Sequence, residues 1–185
     1  MTLGNAWPVV REFTPEDAAA FRALRLEALE TNPEAFGAVA AEFRTRTPAE
    51  IEQDVRQSFD SAESLILGAF IGPAAVGMSA LRRQTAPKRR HIAVIWGVYI
   101  TPAWRGRGLS GRILDDLIAA ARQMPGLEQL ILAVIAENTI AQALYTGRGF
   151  ITYGREPRAF KQNGGYSAEL LMIKFLSPPD AMLPE

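Results

Sequence analysis

The strongest constraint on this chain is a strand, a glycine-rich turn and a helix that follow one another between residues 92 and 121. Ile92 to Ile100 (IAVIWGVYI) is a long apolar run rich in β-branched residues, and it reads as a buried strand. Gly97 inside that run predicts a bulge or a close backbone approach. Thr101-Pro102 ends the strand, and the segment Trp104 to Leu114 (WRGRGLSGRIL) turns the chain into a helix. Leu109, Ile113, Leu117, Ile118 and Ala121 recur at helical spacing until Pro125-Gly126 stops them. With a further buried strand at Leu130 to Ile135, the pattern is that of an α/β (α+β) fold, a mixed sheet covered by helices.

The turn itself points to an anion. A helix start leaves about four backbone N–H groups without intrahelical partners, and the helix dipole favours negative charge there. Gly106 and Gly108 carry no side chain, so phosphate oxygens can reach the amides. Arg105 and Arg107 add charge-assisted donors. A Walker A loop is excluded, because no lysine follows these glycines. The dinucleotide fingerprint G-x-G-x-x-G does fit Gly106, Gly108 and Gly111. However, the residue about twenty positions on, Glu128, falls at the start of the next strand rather than at a strand's end. That reading and a tight turn without a ligand stay open on these residues alone.

Elsewhere the chain supplies ordinary punctuation. Val9 to Phe13 reads as a strand. Thr14 caps a helix with Pro15, Glu16 and Asp17 in its first turn and the stripe Phe21, Leu24, Arg25, Ala28, Leu29; Asn32-Pro33 ends it. Thr47-Pro48-Ala49-Glu50 opens a second helix with Ile51, Val55 and Phe59 on one face. Leu65 to Ile71 and Val76 to Leu81 form a hairpin, followed by a basic loop at 82–90. A helix over Asn138 to Arg148 precedes two last strands, Phe150 to Arg155 and Ala168 to Phe175, joined by Asn163-Gly164-Gly165. One domain over 1–185 is expected, with its core at 8–176 and an irregular tail at 177–185 containing Pro178, Pro179 and Pro184.

Charge and composition narrow the function. Residues 12–63 hold twelve acids and five bases, whereas 82–112 hold eight bases and no acid. A basic middle beside an acidic first third favours a small phosphorylated ligand. The basic stretch is interrupted by an apolar strand and the chain's net charge is zero, which argues against nucleic acid. No apolar run approaches the ~20 residues of a membrane span. The N-terminal MTLGNAWPVVREF lacks the layout of a signal peptide. There are no cysteines, which excludes thiolate metal sites and a cysteine nucleophile and fits a cytoplasmic protein. The one histidine, His91, cannot build a multi-histidine metal site, so no metal is expected.

Two motifs then give the chain a family likeness. Arg105-x-x-Gly108-x-Ser110, after a strand ending Val98-Tyr99-Ile100-Thr101-Pro102, resembles the cofactor motif [RQ]-x-x-G-x-[GA] of the GNAT superfamily of N-acetyltransferases; Ser110 departs from it in the last position. Asn138, Ala141, Leu144, Tyr145, Gly149 and Phe150 are similar to the family's N-x-x-A-x-x-L-Y-x-x-x-G-F. Arg22 to Phe36 resembles its R-x-L-R-x-x-A-L-x-x-x-P-x-A-F stretch. The resemblance covers roughly residues 8–176.

The resemblance implies a central mixed sheet of six to seven strands flanked by about four helices, with two neighbouring strands splayed to hold acetyl-CoA. It implies that Arg105, Gly106, Arg107, Gly108, Leu109 and Ser110 bind the pyrophosphate, and that the pantetheine arm pairs with the backbone of Val98 and Ile100. A backbone N–H near Val98 or Tyr99 would polarise the thioester, and the side chain of Asn138 would bond the arm. Tyr145 is the implied catalytic residue, a proton donor to the leaving sulfur. An amine would attack directly, without an acyl-enzyme. The family's strand glutamate is absent, since no carboxylate occurs from Arg82 to Leu114. The base is therefore expected to be water, Glu27 or Glu34, ahead of Glu137 or His91. Phe36, Phe43, Trp96, Tyr99, Phe160 and Tyr166 are the candidate acceptor lining. Expected partners are a small-molecule or peptide amine, with no nucleic acid and no membrane; a homodimer stays open. A CoA-binding module without catalysis is the other implied class.

Overall fold

The computed structural model describes residues 7–162 and 164–177; Asn163, Pro178, Pro179 and Pro184, placed above in a turn and a tail, lie outside them. Seven strands form one mixed sheet in the order β1-β2-β3-β4-β5-β7-β6. The chain divides into two compact units, one of residues up to Leu81 with Trp96–Ile118, the other of Arg82–Ile95 with residues from Ala119 onward.

In the first unit, β1 (Val9–Glu12) pairs antiparallel with β2 (Ser64–Ile71), placing Val9 opposite Phe70. Thr14 starts a 3-10 turn that becomes α1 (Ala18–Thr31). Asp17 closes that start: its carboxylate takes the Thr14 N–H and the Arg11 guanidinium, and the Arg11 hydrogen bond first among these lowers its pKa to about 2. Thr47 and Glu50 form a reciprocal capping box for α3 (Pro48–Phe59), as their spacing predicts. A short helix, α2 (Ala40–Thr45), was not legible in AAEFRT, which is too brief to show a period. The amphipathic faces of α1 and α3 meet β2 and β3 (Ala74–Arg83) in a core of Phe13, Phe21, Leu24, Ile51, Val55, Phe70 and Met78. Phe13 anchors it, with ring centres of Phe70 and Phe21 at 4.8 and 5.5 Å.

β3 corrects one boundary. Arg82 and Arg83 belong to the strand rather than to a basic loop, and Arg83 is buried, donating to the carbonyl of Pro125. The aliphatic stem of arginine covers apolar surface while its head reaches an acceptor. The basic segment that remains holds a 3-10 turn at Pro87–Arg89.

β4 (Ile92–Ile100) and α4 (Leu109–Ala121) fall where their patterns predict. In the second unit β4 starts parallel to β5 (Gln129–Ile135), with Ile92 opposite Gln129 and Val94 opposite Ile131. The ladder comprises only three pairs, ending at Val94, although both strands continue. β5 pairs along its whole length with β7 (Gly165–Phe175). The other neighbour of β7, β6 (Ile151–Gln162), runs far past the expected end at Arg155. Pro157 lies within it, but β6 is the edge strand and its register shifts between Glu156 and Phe160, so the missing N–H costs no ladder bond. The helix α5 (Thr139–Thr146) lies between β5 and β6 in the chain.

Candidate active site

The glycine turn precedes α4. Gly106 and Gly108 have φ of +72° and +77°, left-handed conformations that L side chains rarely adopt. A Cβ built on either would meet nothing within 4 Å. The glycines are therefore required by the backbone path, and no protein group fills the space beside them. The first helical bond runs from the Arg112 N–H to the Gly108 carbonyl. The amides of Leu109 and Ser110 lie ahead of it, at the positive end of a 13-residue helix. The Leu109 side chain is buried and fixes the turn to the core, while Ser110 is half-buried.

Both arginines of the turn touch protein groups. Arg105 Nε donates to the Ile100 carbonyl at 2.9 Å and Nη2 to Asn32 Oδ1 at 2.7 Å. Its guanidinium also lies 5.4 Å from the Tyr99 ring centre. Arg105 thus ties the turn to the end of β4 and to the end of α1, and it occupies the Ile100 carbonyl. Arg107 lies over Trp104 at 4.6 Å.

In β4, Gly97 has φ of +69° and forms the expected irregularity. Trp96 and Tyr99 stand three apart, a spacing that faces opposite sides in a regular strand. Both nonetheless pack on the same core cluster, because the left-handed glycine resets the alternation. Val98 stays half-buried. The Tyr99 hydroxyl lies 2.8 Å from Thr31 Oγ1 and donates to Glu27 Oε1 at 3.0 Å. Burial, with Glu27 adding to it, pushes Tyr99 ionisation upward. Of the expected acceptor lining, Phe36, Phe43, Trp96 and Tyr99 converge on this cluster. Phe160 and Tyr166 belong to the β6–β7 hairpin of the other unit, where Tyr166 is exposed beneath Arg158 and Lys161. Among the expected bases, Glu34 accepts from the Asn32 amide, and the His91 backbone carbonyl accepts from Glu128 and Gln129. Glu137 lies in an exposed turn.

The second motif is explained by the helix it closes. Asn138 Oδ1 accepts the Ala141 N–H at 3.0 Å, so Asn138 is the N-cap of α5. At the other end Gly149 takes φ of +78°, and the Phe150 N–H reaches back to the Tyr145 carbonyl at 3.1 Å. That six-to-one bond over a left-handed glycine is a Schellman closure. Its accompanying apolar contact is Tyr145 against Phe150, with ring centres 6.0 Å apart. The Tyr145 side chain is 6% exposed, and its hydroxyl makes no hydrogen bond among the described residues. Burial pushes its ionisation up to about 12.

Comparison with known proteins agrees with this geometry. The family model described as "Acetyltransferase (GNAT) family" matches residues 21–150. An L-2,4-diaminobutyric acid acetyltransferase of Streptomyces avermitilis is 31% identical over 84 residues, 42% of this chain and 47% of that protein. An L-amino acid N-acetyltransferase of Escherichia coli is 25% identical over 49% of this chain and 56% of its own. The chain thus spans about half the length of these curated relatives. The solved acetyltransferase of the GNAT family from Streptococcus pneumoniae superposes with a TM-score of 0.82 at 26% identity, covering 91% of this chain and 99% of that one. A putative acetyltransferase from Salmonella typhimurium, solved with its cofactor acetyl-CoA, shares the fold at a TM-score of 0.80 and 19% identity, over 96% and 98% of the two chains. With the family model matched over most of its length, and with both motifs built as the fold requires, this chain belongs to the GNAT acetyltransferase family.

Proposed function

We propose that this chain transfers an acetyl group from acetyl-CoA to the primary amine of a small molecule. The observation that carries the proposal is the turn at residues 105–111, where left-handed glycines leave unfilled space beside the start of α4. The residues present fit a pyrophosphate: backbone donors and a helix dipole meet there beside Arg107, and nothing fills the space next to Gly106 and Gly108. The Salmonella structure holding acetyl-CoA supports the choice of cofactor. The names of the Streptomyces and Escherichia coli relatives support a small amine as acceptor.

Bound acetyl-CoA supplies an acyl group already activated as a thioester, so no nucleophile of the protein is needed and the amine attacks directly. The amides of Gly108, Leu109 and Ser110 hold the pyrophosphate. Arg105 holds the turn in place through Ile100 and Asn32, and Arg107 adds positive potential. The backbone of Val98 would orient the pantetheine arm, the N–H near Val98 or Tyr99 would polarise the carbonyl, and Asn138 is the side chain proposed to bond the arm.

Tyr145 donates to the departing sulfur. With its ionisation near 12, the hydroxyl keeps its proton across the neutral range. A full transfer to a thiolate, whose acid ionises at about 8.5, runs uphill, so the donated hydrogen bond is what would stabilise the leaving group. Glu27, fixed by Tyr99, is the carboxylate of α1 that faces β4, and it accepts the amine's proton directly or through water. The test is a panel of primary amines with acetyl-CoA, following free thiol, beside calorimetric titration of acetyl-CoA alone. Amine-dependent thiol release supports the enzyme. Binding without release assigns the chain to CoA-binding modules that do no chemistry.

A further inference from the structure

Arg25 is a charged group that the reaction above leaves unused. It lies on α1 within an otherwise apolar stripe, next to Leu24 and Ala28, both of which are buried. Its guanidinium sits 4.9 Å from the Phe36 ring centre and 5.7 Å from that of Trp96. Nη1 is closed off from solvent and makes no hydrogen bond. A Cβ added at Gly97 would find only this Nη1, at 3.9 Å, so the guanidinium faces the open side of the β4 bulge.

Other arginines of the same unit make the point sharper. Arg11, Arg44, Arg46 and Arg56 each pair with a carboxylate: Asp17, Glu30, Asp54 and Glu52. Three of the four are exposed and Arg46 is half-buried, so these pairs gain little in water. Arg25 is more withdrawn from solvent and needs a counter-charge most, yet has none among the described residues. The acids nearest in sequence are taken, Glu27 by Tyr99 and Glu30 by Arg44. Two aromatic faces offset only part of the lost hydration. Burial accordingly lowers the basicity of Arg25, with no acid nearby to restore it.

We propose that the Arg25 guanidinium receives the carboxylate of the acceptor, so that the substrate is an amino acid with a free carboxylate. This rests on the acetyltransferase reading and specifies its acceptor. The planar fork of arginine matches a carboxylate with two parallel hydrogen bonds. Phe36 and Trp96 hold the fork in orientation and offer apolar surface to the substrate's side chain. Glycine at 97 leaves the space in which the carboxylate sits.

The experiment titrates the CoA-saturated protein by calorimetry with L-phenylalanine, L-methionine and L-2,4-diaminobutyrate, each beside the amine left by removing its carboxylate. For at least one pair the acid binds about 100-fold tighter, the upper range for charge-assisted hydrogen bonds. Arg25→Met reduces that preference to within about 3-fold and leaves the amine's affinity unchanged. Arg25→Lys retains the charge and stem, so it guards against a folding defect; losing the fork, it gives up about 10-fold of the preference. Equal binding of acid and amine in all three pairs overturns the inference, as does a preference that survives in Arg25→Met. Thiol release separates this from the parent reading. Acid binding through Arg25 without release sinks the enzyme and keeps the carboxylate site. Release with acids and amines at equal KM does the reverse.

Discussion

Two of the four tyrosines are buried, Tyr99 at 5% and Tyr145 at 6% exposure, and their hydroxyls meet opposite fates. Tyr99 shares hydrogen bonds with Thr31 and Glu27, so its hydroxyl joins α1 to β4. Tyr145 has its ring clamped against Phe150 by the closure of α5, while its hydroxyl is left without a partner among the described residues. Equal burial thus hides a division of labour. One hydroxyl joins two elements through hydrogen bonds; the other is the one proposed to meet the leaving sulfur.

Removing each hydroxyl sharpens the contrast. Tyr145→Phe lowers kcat about 100-fold, the lower range for a positioned proton donor, with the KM for acetyl-CoA within about 3-fold. Its melting temperature does not fall, since no hydrogen bond is lost; a kcat near wild type would break the comparison. Gly108→Val acts on the other parameter. A β-branched residue at φ +77° is strained and fills the space over the amides. The KM for acetyl-CoA rises about 30-fold, equivalent to about 2 kcal/mol, with a smaller change in kcat. Glu27→Gln lowers kcat about 10-fold; an unchanged kcat assigns the proton to water alone. Tyr99→Phe changes activity by no more than about 3-fold but lowers stability by about 1 kcal/mol in denaturant unfolding.

Alkaline unfolding isolates the raised ionisation of Tyr145 from its part in turnover. Tyr145 ionises near 10.0 when unfolded and near 12 when folded. The group's folded value is raised, so its contribution is complete below pH 10 and is lost as pH climbs towards 12. Wild type therefore loses on the order of 3 kcal/mol over that window that Tyr145→Phe keeps, at 1.36 kcal/mol per pH unit. Identical alkaline midpoints in the two proteins would contradict the raised ionisation of Tyr145.

Short-range chemistry is what made much of this legible in the residues. Thr47 with Glu50, Asn138 as a cap, Gly149 as a closure and the glycines of 105–111 are each fixed by their own few neighbours. Resemblance supplied the role of Tyr145, and the closure of α5 then gave the physical reason for its position. What escaped was set by tertiary context. Pro157 marks a loop unless its strand is known to lie at a sheet edge, and Arg83 reads as solvated unless the Pro125 carbonyl is known to face it. Arg105 was read as a phosphate ligand, but its hydrogen bonds to Ile100 and Asn32 depend on how the chain returns on itself. Arg25 did leave a trace, as an arginine within the apolar stripe of α1; only the missing carboxylate shows that the charge awaits a partner.

The central claim is acetyl transfer assisted by the Tyr145 hydroxyl, and thiol release from acetyl-CoA tests it most directly. The release rate should be measured with and without amine in wild type and in Tyr145→Phe, with the product followed by mass. The account predicts saturable amine-dependent release matched by an acetylated amine, reduced about 100-fold in the variant while acetyl-CoA still binds. Amine-independent release, or equal rates in the two proteins, would contradict it.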